Sequence, residues 1–330
     1  MINEFREDLV SGEWVLLATG RAKRADPVKV EEKLKNSKET CPFEDLEKSG
    51  NVVVETFQNK EGTDWFAKAV KNKFPAVLEG LPGPARKEGP FNLVDAKGRH
   101  EIVVFRDHDK TFADMSEDEL ADVFKIYQNR YDSMFDHGRI KYVLVFHNQG
   151  VKAGASQHHP HSQVMSIPII PPDVRRSISG SEKFYNENKK KVYDVMIEWE
   201  SQMKKRVVYE CDDFIVFCPF VSKTPYEIRI FPKQGHAHFE QMPAELLPCL
   251  GKTMSIVFRK LSKALNNPDY NFFIHTAPLE STHAHDFYTW HIEILPQLTL
   301  LGGFDLGTGI EVNITDPDDA AKLLRETEID

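Results

Sequence analysis

The order of apolar and polar runs along the chain repeats itself. Glu101-Ile102-Val103-Val104-Phe105 reads as a strand, and Met115–Leu120 leads into a helical pattern over about Glu117–Phe135. Strand patterns follow at Lys141–His147 and His159–Ile167. The second half returns the same sequence of elements. Glu227–Phe231 is a strand, Met242–Leu246 opens a helix to about Leu265, and Tyr270–His275 and Trp290–Leu295 are strands. The offsets are 126 (227 − 101), 127 (242 − 115) and 132 (291 − 159), a drift that loop changes between duplicated units produce. The predicted fold is therefore α+β, one unit occurring twice, with halves over 1–178 and 179–330. Outside the repeat, Glu13–Leu17 is strand-like and Gly80–Gly89, rich in Pro and Gly, reads as a loop. Val192, Val195, Met196, Trp199 and Met203 recur at helical spacing inside Glu182–Arg206, which predicts one amphipathic helix.

Composition narrows the class. Hydrophobic residues are 41% and charged residues 28% of 330, the balance of a folded globular chain. Apolar runs such as Ile167–Pro172 are far shorter than a membrane span, and the acidic N-terminus is unlike a secretion signal. Four scattered cysteines, Cys41, Cys211, Cys218 and Cys249, do not make a disulfide framework, so a reducing cytoplasm is the expected setting. The formal net charge of −9 argues against broad nucleic-acid or membrane-surface binding but leaves room for an anionic small ligand at a local cluster of donors.

That cluster is Gly154-Ala155-Ser156-Gln157-His158-His159-Pro160-His161-Ser162-Gln163. On a strand, side chains two apart share a face, so His159, His161 and Gln163 are expected at one site. The small residues Gly154, Ala155 and Ser156 let a phosphate approach backbone N–H groups. An imidazole in such a place ligates a metal, moves a proton or attacks phosphorus. The last gives a P–N bond reactive enough to pass a nucleotidyl group onward. The plainer alternative is a polar strand edge with solvent-facing histidines.

The His159-Pro160-His161-Ser162-Gln163 segment resembles the active-site signature of the galactose-1-phosphate uridylyltransferase family, within the histidine-triad superfamily. Gly20-Arg21-Ala22-Lys23-Arg24 is similar to the family's basic N-terminal motif, Phe146-His147-Asn148-Gln149-Gly150 to its asparagine-glycine loop, and Phe304–Gly309 to its segment near the hexose. The resemblance implies a fold of two histidine-triad-like halves around an antiparallel-rich open sheet. It implies that His161 takes UMP from UDP-glucose and passes it to a hexose-1-phosphate, galactose-1-phosphate first, in a ping-pong reaction of galactose metabolism. Gln163 and Ser156 would then contact phosphate oxygens, Arg21 and Arg24 would balance phosphate charge, and Asn72 and Asn148 would meet the nucleotide and sugar. It further implies a homodimer with residues of both chains near the sugar.

The resemblance also implies a structural zinc site. Cys41-Pro42-Phe43-Glu44 stands where relatives carry Cys-x-x-Cys, so Cys41, His108 and His159 match three ligands and Glu44 supplies a carboxylate oxygen as the fourth. A second metal site known in some relatives is matched by His275 and His291 with Glu293 as third, and no partner is matched near Pro172–Ser177. By the 132-residue offset Glu293 stands at the place of His161, so only the first half is expected to form an adduct. At the hexose end Asp305 replaces a longer Glu, and Glu311 lies near a position that is an amide in relatives. Three other readings share these residues: an adenylyl-transferring relative such as an ADP-sugar or dinucleoside-polyphosphate phosphorylase, a hydrolase, and a nucleotide-binding regulator without catalysis.

Overall fold

The computed structural model describes residues 2–23, 37–134, 139–279 and 284–329. Its centre is a large, mostly antiparallel sheet. From one edge to the other the strands run Val207–Glu210, Phe214–Phe217, Ile228–Pro232, His291–Pro296, Tyr270–His275, Tyr142–Gln149, His161–Ile167, Lys97–Phe105, Trp65–Lys71 and Val53–Gln58. Read outward from the seam between Tyr142–Gln149 and Tyr270–His275, the two sides have the same order. Each side has a seam strand, then the strand that opens on His161 or His291, then Lys97–Phe105 or Ile228–Pro232, then an outer pair. The seam is antiparallel, with Phe272 opposite His147 and Asn271 opposite Asn148. The expected duplicated α+β fold is thus the fold observed.

Helices Glu117–Ser133 and Leu247–Leu265, one from each half, pack against each other. Their close crossing needs Gly251, where a Cβ would come 2.3 Å from the Glu117 carbonyl oxygen and 2.7 Å from the Ala121 nitrogen. The main core lies between these helices and the sheet. It joins Val103, Phe105, Phe124 and Val164 of the first half to Ile230, Met254, Phe272 and Ile292 of the second. Helix Glu117–Ser133 starts with a reciprocal cap between Ser116 and Glu119. It is tied to the sheet by buried Arg130, whose Nε and Nη2 donate to both carboxylate oxygens of Glu101 at 2.9 and 3.0 Å.

The opposite face is covered differently in the two halves. Over the first half, Cys41, Phe43 and Leu46 pack on Val70 and Val104. Over the second, Val192, Tyr193 and Ile197 pack on Ile215, Phe217 and Phe231. Here the single amphipathic helix expected over 182–206 is two, Pro172–Asn188 and Val192–Met203, broken where Lys189 takes a left-handed conformation. Its buried stripe is Val192, Tyr193, Ile197 and Glu200, while Trp199 and Met203 stay exposed. The helix expected from Met242 is preceded by 3₁₀ turns and becomes α-helical at Leu247. The Pro/Gly-rich loop ends in a small hairpin, Arg86–Glu88 with Phe91–Leu93. Strands Asn3–Glu7 and Trp14–Ala18 form a separate sheet with Val312–Asn313, so the start of the chain sits beside its end. No helix among the described residues is long and apolar enough to cross a membrane.

Candidate active site

His161 is the first residue of its strand and is buried. Its Nδ1 lies 2.9 Å from the backbone carbonyl oxygen of His159. A carbonyl only accepts, so Nδ1 carries the proton and Nε2 keeps the lone pair. Burial pushes the ring's pKa below its ordinary value, which keeps it neutral and nucleophilic near pH 7. The Phe43 ring packs on it at 5.2 Å between centroids. Ser162 points to the helix face, where its Oγ meets Tyr127 Oη at 2.5 Å and His147 Nδ1 at 3.0 Å. His147 is wholly buried and stacked between Phe112 and Phe272, and burial lowers its pKa to about 3. This group fixes the strand from behind.

Gln163 shares the face of His161, and its Oε1 is 2.8 Å from His100 Nε2. Asn72 lies beside it, with Nδ2 3.2 Å from the same nitrogen. The expected site residues Asn72 and Gln163 are thereby brought together, through a histidine the sequence reading passed over. The signal for His100 was its parity with Ile102 and Val104 on their strand, which becomes informative only when the register places Met165 opposite it.

The loop ahead of the signature is braced from the second half. Asn271 Nδ2 donates to Asn148 Oδ1 and to the Ala153 carbonyl, both at 2.8 Å, and Asp269 Oδ2 accepts from the Lys152 N–H at 2.8 Å. Gly150, at φ 85°, passes so close to Asp269 that a Cβ would come 2.0 Å from its carboxylate. The N–H groups of Gly154 and Ala155, expected to face a phosphate, instead close the turn by donating to the carbonyls of Val151 and Gly150. Ser156 is exposed at the end of this loop. Arg21 is exposed on the 3₁₀ turn Thr19–Lys23, and Arg24 lies outside the described residues.

Cys41, His108 and His159 converge, their ligand atoms all within 4.8 Å of one another. His159 Nε2 donates to the Phe105 carbonyl at 2.6 Å, leaving Nδ1 bare, 3.5 Å from Cys41 Sγ and 3.6 Å from Glu44 Oε1. Glu44 Oε1 also lies 3.1 Å from His108 Nδ1. A thiol, two imidazoles and a carboxylate, with one imidazole oriented by a backbone carbonyl, are a donor set that fits zinc.

In the second half His275, His291 and Glu293 also come together, with both imidazole Nε2 atoms 3.5 Å from the Glu293 carboxylate. A buried cation is already there. Arg229 Nε lies 3.1 Å from Glu293 and 2.9 Å from Glu227, and Arg229 Nη1 lies 3.7 Å from Asp8. Arg229 holds the Glu293 carboxyl well below its ordinary range against the opposing effect of burial. Arg229 thus shares the Glu293 carboxylate with the two imidazoles.

The register also revises the comparison between halves. His291 opens its strand as His161 does, and its Nδ1 lies 3.1 Å from the Thr289 carbonyl, again two residues back. The structural counterpart of His161 is thus His291, at an offset of 130 (291 − 161), and Glu293 stands at the place of Gln163. His291 is stacked between Phe231 and His275 at 4.7 and 4.9 Å, beneath the helix that covers this face. Asp305 is turned inward as well. Its two oxygens accept from the Gly302 and Val312 N–H groups at 2.9 and 2.8 Å, while Glu311 lines the cavity with Lys223, Arg229 and His291.

The family described as galactose-1-phosphate uridyl transferase, N-terminal domain, matches residues 2–171. The chain belongs to this family. Among its relatives, an ADP-glucose phosphorylase of Arabidopsis thaliana is 31% identical over 99% of this chain and 93% of that protein. The galactose-1-phosphate uridylyltransferase of Thermotoga maritima is 27% identical over 99% of each. The crystal structure of an Arabidopsis thaliana ADP-glucose phosphorylase with bound ADP-glucose superposes with a TM-score of 0.84 at 30% identity, covering 99% of this chain and 100% of that one. Membership of the uridylyltransferase family makes the chain a nucleotidyltransferase-family enzyme. The nucleotide and the acceptor are a separate matter.

Proposed function

We propose that the protein transfers a nucleoside monophosphate from a nucleotide sugar through a covalent adduct on His161. The observation that carries this is the buried neutral ring, its Nδ1–H held by the His159 carbonyl. In the first step Nε2 attacks the α-phosphorus, the bond from that phosphorus to the bridging oxygen breaks, and the sugar-1-phosphate leaves. As positive charge develops on the ring, the His159 carbonyl stabilises it. Gln163, and Ser156 at the loop end, donate to the phosphoryl oxygens, and Arg21 and Arg24 offset its charge. In the second step an acceptor oxygen attacks phosphorus, the P–N bond breaks, and His161 returns to its starting state.

Two donors stand in order. ADP-glucose comes first, supported by the 31% identity to an ADP-glucose phosphorylase over nearly the whole chain and by the likeness to its structure. In that reading inorganic phosphate is the acceptor and ADP the product. UDP-glucose with galactose-1-phosphate as acceptor comes second, supported by the family match and the Thermotoga relative. The test is release of glucose-1-phosphate from each donor with no acceptor present. The reading predicts a burst equal to the enzyme concentration from one donor, and continuous hydrolysis or no release from both would refute it.

Cys41, Glu44, His108 and His159 would hold zinc, which would fix the start of the His161 strand. By the resemblance to its family, Asp305 and Glu311 would meet the hexose and the protein would be a homodimer with residues of both chains near the sugar.

A further inference from the structure

We propose that His100 is a positioning residue that sets the side-chain amide of Gln163 for nucleotidyl transfer; this rests on the His161 reading above. The backbone sets the tautomer of His100. The Ala76 N–H lies 3.2 Å from His100 Nδ1, and a backbone N–H can only donate, so Nδ1 accepts. In the neutral ring the proton is then on Nε2, which donates to Gln163 Oε1 at 2.8 Å. Burial lowers the pKa of His100 and keeps the ring neutral.

With Oε1 engaged, both N–H bonds of the Gln163 amide are left for the face it shares with His161. An unanchored glutamine loses this in two ways. Its amide rotates freely, and half of its orientations present oxygen to an anionic phosphoryl group. Asn72 Oδ1 accepts from the Phe74 N–H at 2.9 Å, and its Nδ2 lies 3.2 Å from the same Nε2, a second donor that makes no hydrogen bond to the ring in this tautomer. The Ala76 N–H thus fixes the tautomer of His100, and His100 fixes the orientation of Gln163.

The test is the single-turnover rate of adduct formation and its dependence on donor concentration, measured with ADP-glucose and with UDP-glucose. His100→Phe keeps the ring shape and removes the donor. The expected loss is about 10-fold or more in the maximal rate, with the half-saturating donor concentration changed less than about threefold. His100→Gln, which returns an N–H near the place of Nε2, should recover most of the rate. In a Gln163→Ala background His100→Phe should add no further loss. Ala76→Pro, at an exposed position, removes the N–H that sets the tautomer and should slow the same step with His100 intact.

An adduct formed by His100→Phe at the normal rate would overturn the proposal and leave the His161 reading standing. Losses that add to those of Gln163→Ala, or no recovery in His100→Gln, would also overturn it. Absence of any adduct in the unaltered protein would overturn both together.

Discussion

Asn271, on the seam strand of the second half, donates to the carbonyl of Ala153, in the loop of the first half that leads to His161. The second half therefore shapes the loop beside His161 of the first. The same amide also holds Asn148, and Asp269 two residues earlier holds Lys152.

Asn271→Ala should accordingly slow nucleotidyl transfer about 10-fold or more while leaving the protein folded, because two hydrogen bonds that order the loop are lost. Transfer kinetics alongside thermal unfolding check this. An unchanged rate would mean that the loop orders itself.

Arg130→Ala should be far more damaging to stability than a surface change. It leaves Glu101 in a nearly closed site without its hydrogen-bonded cation, and removing one partner of a buried pair costs about 3–5 kcal/mol. Denaturant unfolding measures it, and a loss under about 1 kcal/mol would show that Glu101 takes up a proton or finds water instead.

His147 predicts how stability responds to acid. Its folded pKa is about 3 because it is buried, against an ordinary 6.5. Between these values the unfolded chain binds a proton that the folded one refuses. The contribution is thus fully present above pH 6.5 and is lost as the pH falls toward 3, at up to about 1.4 kcal/mol per pH unit. Unfolding curves between pH 7 and 4.5 should fall more steeply for the unaltered protein than for His147→Gln. Equal slopes would contradict the buried neutral assignment.

The zinc proposal predicts stoichiometric metal in protein purified without chelator, lost together with several degrees of thermal stability in His108→Ala. Metal-free protein with unaltered stability would refute it.

Much of this was legible in the sequence. Strand alternation placed His161 and Gln163 on one face, and the repeat of strand and helix patterns predicted the two-sided sheet. The errors have physical causes. Sequence offsets absorb loop changes, so the 132-residue offset paired Glu293 with His161, where hydrogen bonding from each ring to the carbonyl two residues back pairs His291 with it. His100 and Asn271 act across strands, and a register is a tertiary fact that no local pattern carries. Gly154 and Ala155 looked like donors to a phosphate because they are small, but a turn must first satisfy its own carbonyls. Asp305, expected at the sugar, also caps a short helix, a local role that the sequence reading did not include.

The most direct test of the account is intact and peptide mass analysis after incubation with ADP-glucose or UDP-glucose, at mildly alkaline pH because a phosphoramidate is acid-labile. The account predicts a nucleoside monophosphate added to the peptide carrying His161, from one of these donors, and absent in His161→Gly. Turnover of either donor with no adduct, or an adduct on any other residue, would contradict it.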